Sequence, residues 1–142
     1  MAALVGRMES GRRLVVVGAA LAVMATVADV ILAMGLRTAL RVPVGFSPLT
    51  VPSVATMTIA GMVGATVVFA WIARVRPDPR ATFVRIAAAA LVLSWVPDLI
   101  IWATRIFPDT TSNGILSLMA LHVVPAVLAV GILTRFGLGT AE

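Results

Sequence analysis

The chain alternates between long apolar runs and short polar breaks, and the runs define four elements. They lie at about residues 14–36, 54–73, 83–104 and 115–134. A helix that crosses a bilayer needs about 20 mainly apolar residues, and all four runs meet that length. The breaks between them carry helix-stopping chemistry. "RVPVGFSPLTVPS" holds Pro43, Pro48 and Pro52 and predicts an extended loop. "RVRPDPR" is short, with Asp78 placed to cap the third helix and Pro79 at its first position. "FPDTTSNG" offers Thr111, Ser112 and Asn113 as caps for the fourth.

This pattern predicts an all-α polytopic membrane protein, with four transmembrane helices in one bundle spanning residues 1–142 as a single domain. Composition agrees. The chain is 61% hydrophobic and 12% charged, whereas soluble domains average about 25% charged residues. With no cysteine, disulfides and thiolate chemistry are excluded. The first apolar run has 23 residues, too many for the ~7–15 of a signal-peptide core, and is expected to be a retained helix.

Charge sets the expected orientation. The net charge of +5 comes from eleven basic residues, all arginine. They flank the apolar runs and form no basic patch interleaved with aromatics, so no nucleic-acid partner is expected. Arg7, Arg12, Arg13, Arg74, Arg76, Arg80, Arg85 and Arg135 fall on the side of the termini, and Arg37, Arg41 and Arg105 on the other. The positive-inside rule then places both termini in the cytoplasm.

A tandem repeat is suggested by "VADVIL" at Val27–Leu32 and "VPDLII" at Val96–Ile101, each followed by an arginine, Arg37 or Arg105, that ends its span. Met57–Arg74 and Met119–Arg135 align as well. The chain is then two helical hairpins related by a pseudo-twofold axis along the membrane normal. In that alignment Asp29 matches Asp98, and His122 matches Ala60.

Asp29, Asp98 and His122 are the ionisable residues deep in the spans. Counting from the span ends at Arg37, Arg105 and Asn113, their depths are about 12, 10.5 and 13.5 Å at the rise of a helix. All three should therefore lie at one level in the outer half of the bilayer. Small residues continue their faces. Gly18, Ala22 and Ala25 precede Asp29, Ala87, Ala90 and Ser94 precede Asp98, and Ala126 and Ala129 follow His122. On the second span Ser53, Thr56, Ala60 and Gly64 form a matching stripe. Small residues let membrane helices approach closely, so these faces should turn inward. Pro97 and Pro125 leave the carbonyls of Leu93 and Leu121 free beside the ionisable residues. Thr56, Ser94 and Trp95 are the candidate ligand-binding residues around the acids, although Trp95 also suits simple packing. Trp71 and Trp102 sit near span ends as interfacial anchors.

Charges at mid-membrane are expensive, so the three residues should pair as a coupled Asp–His–Asp system that shares one or two protons. They form the candidate acid/base cluster. Its plain alternative is interhelical glue. One histidine and two aspartates have metal-ligand chemistry, but no local spacing of a metal motif is present, and no metal or cofactor is expected. Haem held by two axial histidines is excluded by the single histidine.

Three function classes follow. A polar pocket in the outer half of the bilayer binds a lipid, a small apolar molecule or a membrane partner. Alternatively the two acids serve as general acid and base for isomerisation, cyclisation or epoxide opening of an isoprenoid or polyketide, with His122 setting their protonation. The third class is proton-coupled transport by a homo-oligomer.

"SLMALHVVPAVLAVGILTR" and "VPDLIIWATR" resemble small four-span membrane proteins of actinobacteria classed as a domain of unknown function. In them a Met/Leu-His pair begins the last span and an arginine closes it. The resemblance covers the whole chain in span count and these two stretches in detail. It implies a bacterial inner-membrane protein and brings no established activity.

Overall fold

Four helices are joined by two open loops and one tight turn in the computed structural model, which describes residues 2–138 and side chains from residue 11 onward. Helix α1 is Ala2–Ala39, α2 Val51–Val75, α3 Pro79–Thr104 and α4 Ser112–Phe136, with a 3-10 turn at Ser47–Leu49 before α2. Each helix contains a segment long and apolar enough to cross a membrane. No strand occurs among the described residues.

Helix boundaries follow the expected capping chemistry. The Asp78 carboxylate accepts from Ala81 N at 3.1 Å, and Pro79 opens α3 without a lost donor. Of the three candidate caps before α4, Thr111 is the one used, accepting from Gly114 N at 3.1 Å. Both loops at the other end are closed by an arginine. Arg37 donates to Pro43 O at 3.0 Å and also to Val44 O, while Arg105 donates to Thr110 O at 3.1 Å. These guanidinium groups satisfy loop carbonyls and do not reach down to the acids. Asn113 ties the two loops together by donating to Leu40 O at 2.9 Å.

The termini and the α2–α3 turn share one end of the bundle, where Arg13 donates to Phe136 O at 3.1 Å. Arg7 lies outside the described side chains. The α1–α2 and α3–α4 loops occupy the opposite end, here the loop end.

Two apolar clusters hold the bundle. Toward the termini, Leu21 and Ala25 of α1 meet Met62, Phe69 and Ile72 of α2, Phe83 of α3, and Ala129 and Leu133 of α4. Toward the loops, Ala33, Phe46, Leu49, Val54, Ile115, Leu118 and Leu121 form the second cluster. Gly18 allows a close approach of α1 to α2, since a Cβ there would stand 2.6 Å from Thr66 Cγ2.

Packing around the ring of helices is uneven. α1 lies along both α2 and α4, and α3 along α4, but α2 and α3 touch much less. A strict twofold between hairpins would make the α2–α3 seam equal to the α4–α1 seam. It is not, and the splay between α2 and α3 opens a cavity along that seam.

Candidate functional site

A polar layer separates the two apolar clusters. On α1 Asp29 falls one turn from both Ala25 and Ala33, and on α2 Thr58 falls one turn from both Val54 and Met62. On α4 His122 lies between Leu118 and Ala129, and Asp98 faces it from α3. A four-residue step nearly completes a helical turn, so each polar residue continues an inward face.

Each acid finds its partner on the next helix of its own hairpin. Thr58 Oγ1 donates to Asp29 Oδ2 at 2.7 Å in a buried bond. His122 Nδ1 stands 3.4 Å from Asp98 Oδ2 and 2.8 Å from Leu118 O. A carbonyl only accepts, so the bond to Leu118 places the proton on Nδ1. That leaves Nε2 of the neutral ring as an acceptor, and it makes no hydrogen bond among the described residues. Asp29 is 2% exposed and Asp98 4% exposed. Even so, Asp29 Oδ1 and Asp98 Oδ2 are buried without a hydrogen-bond partner. Buried polar groups are rarely left this way.

All three ionisable residues line one cavity of about 840 Å³. It runs along the α2–α3 seam, from Phe83 near the terminal end to Phe107 and Ser47 near the loop end. Phe83 to Ile101 on its α3 wall covers about 27 Å of helix. Apart from the polar layer and the serines at the loop end, Ser47 and Ser53, the walls are apolar, with small residues at Gly61, Gly64, Ala87 and Ala90. Gly61 and Gly64 on one lip and Ala90 and Pro97 on the other are exposed, so the cavity is a groove that opens sideways between the two helices. Phe69 and Phe83 close its terminal end with an edge-to-face contact, ring centroids 5.1 Å apart.

The small faces of α3 and α4 behave as the sequence predicts in direction but not in purpose. Ala87, Ala90, Ser94 and Asp98 of α3, and His122, Ala126 and Ala129 of α4, all line the groove. On α3 they form a wall instead of a helix–helix seam. On α2 the inward face is displaced from the expected stripe: Thr56 and Ala60 are exposed, and Val54, Thr58 and Met62 are buried. The helix is apolar on every side, so its pattern carries little rotational information. Thr58 is the site residue that sequence reasoning missed, because it stands in the same unbroken apolar run as Thr56.

Ser94 reaches the groove wall, its hydroxyl donating to Leu91 O at 2.6 Å. Trp95 is not on the wall; its indole donates to Met119 O at 3.1 Å and pins α3 to α4. Among the described residues no three histidine or acidic side chains converge closely enough to hold a metal ion.

Fold and site together define a multi-pass membrane protein with a laterally open, acid-lined groove. Residues 6–137 match the family of unknown function DUF6069, and the chain belongs to that family. No curated protein and no solved structure matches it.

Proposed function

We propose that this protein binds a membrane-dissolved amphiphile in the α2–α3 groove, with the apolar chain along the seam and the polar group at Asp29, Asp98 and His122. The observation that carries this reading is the pair of buried carboxyl oxygens without a hydrogen bond, Asp29 Oδ1 and Asp98 Oδ2, the latter with only His122 Nδ1 at 3.4 Å, in the wall of a mainly apolar groove. Interhelical glue would use both oxygens of each acid, because its benefit comes from satisfied groups. A cavity of about 840 Å³ is within the ~300–1,000 Å³ of small-molecule sites. The lateral opening suits a ligand that arrives from the bilayer. Arginine distribution supports a bacterial cytoplasmic membrane with both termini inside.

A second reading, acid–base catalysis on an apolar substrate, draws on one further observation. The Leu118 bond holds His122 with Nε2 unengaged, on a ring whose Nδ1 stands 3.4 Å from the Asp98 carboxyl group. Such a set has the pieces for proton removal and return within one pocket.

Gly61→Phe tests the binding reading. A Cβ at Gly61 meets nothing within 4 Å, so the ring enters the groove without a backbone clash. The wild-type protein should retain extractable amphiphiles through purification, identified by mass spectrometry, and Gly61→Phe should lose them while staying folded. Equal lipid content in both proteins would sink the proposal.

A further inference from the structure

The groove has a sign preference. We infer that it selects amphiphiles with a positively charged, hydrogen-bond-donating headgroup, of which a long-chain alkylamine is the simplest, and rejects anionic headgroups. This rests on the proposed binding role of the groove and deepens it.

The unengaged polar atoms of the layer are all acceptors. Asp29 Oδ1 and Asp98 Oδ2 make no hydrogen bond, and in the neutral ring His122 Nε2 joins them once Nδ1 has donated to Leu118 O. Pro125 adds the carbonyl of Leu121, a groove-lining residue whose helical donor is missing. The hydroxyl protons on the wall are already donated. Thr58 gives its proton to Asp29, Ser94 to Leu91 O and Ser53 to Ser47 O. The one remaining hydroxyl on the wall, that of Ser47, is on the exposed rim at the loop end.

Among the described residues no arginine lines the groove. Arg37 and Arg105, the nearest to that level along their helices, are turned to loop carbonyls. A phosphate or carboxylate headgroup at Asp29 or Asp98 would meet an acid and no arginine to offset it. An ammonium group has the opposite fit: three donors for the acceptors of the layer and a positive charge that offsets a carboxylate's in a medium where an unpaired charge is costly. A neutral alcohol supplies one donor and no charge, and falls between.

The test is a competition at equal concentrations of dodecylamine, dodecanol and dodecanoate for the full chain in nanodiscs of zwitterionic lipid, with bound species counted by native mass spectrometry. The expected result is that dodecylamine is retained about tenfold over dodecanol, as for one charge-assisted bond, with dodecanoate absent. Asp29→Asn combined with Asp98→Asn should remove the preference for the amine and keep dodecanol bound, and Gly61→Phe should release all three. Preferential retention of dodecanol or dodecanoate by the wild-type protein overturns the sign preference and leaves the groove as a binding site. Retention of none of the three, or retention unchanged by Gly61→Phe, overturns the groove reading and the preference with it.

Discussion

Thr58 and Asp29 are joined by a 2.7 Å hydrogen bond that crosses from α2 to α1 between the two apolar clusters of the bundle. One carboxyl oxygen is satisfied by this bond while the other is buried without a hydrogen bond, in a residue of the groove wall. Asp98 is held differently, against an imidazole whose own proton is committed to backbone. The two acids are therefore equivalent in sequence context but not in their partners.

Thr58→Val should destabilise the bundle by about 1–2 kcal/mol, the cost of leaving a buried carboxyl oxygen unpaired in a membrane helix bundle. Thr58→Ser should restore most of it. Thr56→Val, two residues away on the exposed face, should change stability by less than about 0.5 kcal/mol. Denaturant unfolding in mixed micelles distinguishes them. Equal losses at both positions would mean that the Asp29 bond contributes nothing.

His122 is the only histidine, so a single labelled residue reports its own tautomer. With histidine labelled in both ring nitrogens, NMR in nanodiscs should show Nδ1 protonated and Nε2 carrying the lone pair in the neutral form. The bond to Leu118 O at 2.8 Å demands this. The opposite tautomer would break the Leu118 bond and remove Nε2 from the acceptors lining the groove.

Much of this architecture was legible before any coordinates. The helix caps at Asp78 and Thr111 come from local backbone chemistry, which depends on a few neighbouring residues and reads well. Asp29, Asp98 and His122 stand out because charge is rare inside apolar runs, and the common level of the three followed from counting residues to the span ends. Rotation of α2 was not legible. A helix buried in lipid on one side and protein on the other is apolar on both, so Thr56 and Thr58 look alike in sequence. The groove was not legible either. It depends on how far α3 splays from α2, and Ala87, Ala90 and Ser94 would read the same against a helix as against an open cavity.

Gly18 and Gly61 should respond oppositely to alanine. At Gly18 a new Cβ meets Thr66 Cγ2 at 2.6 Å and Oγ1 at 2.8 Å, and Thr66 is held by its own bond to Met62 O. Gly18→Ala should therefore cost about 1–3 kcal/mol through forced separation of α1 from α2. At Gly61 nothing lies within 4 Å, so Gly61→Ala should stabilise the helix by roughly 0.5–1 kcal/mol. Unfolding midpoints of the two variants that shift in the same direction would contradict the close approach at Gly18.

Phe83 and Phe69 test what keeps the groove closed at its terminal end. Their rings meet edge to face with an interplanar angle of 79°, and both side chains are buried. In a water-soluble core Phe→Ala costs about 3–5 kcal/mol. Here the transfer part of that cost is small because lipid is as apolar as the protein interior, so Phe83→Ala should cost only about 1–2 kcal/mol of packing. A double-mutant cycle with Phe69→Ala should return about 0.5–1.5 kcal/mol of coupling. The functional consequence should exceed the energetic one. With α2 and α3 meeting sparsely elsewhere, loss of this contact opens the groove toward the terminal end, and a cysteine at Gly64 should become reactive to a water-soluble thiol reagent added from that side. Gly64 lines the groove on the terminal side of the polar layer, and the chain contains no other cysteine to confuse the readout. Unchanged labelling in Phe83→Ala would show that the aromatic pair packs the helices without sealing anything.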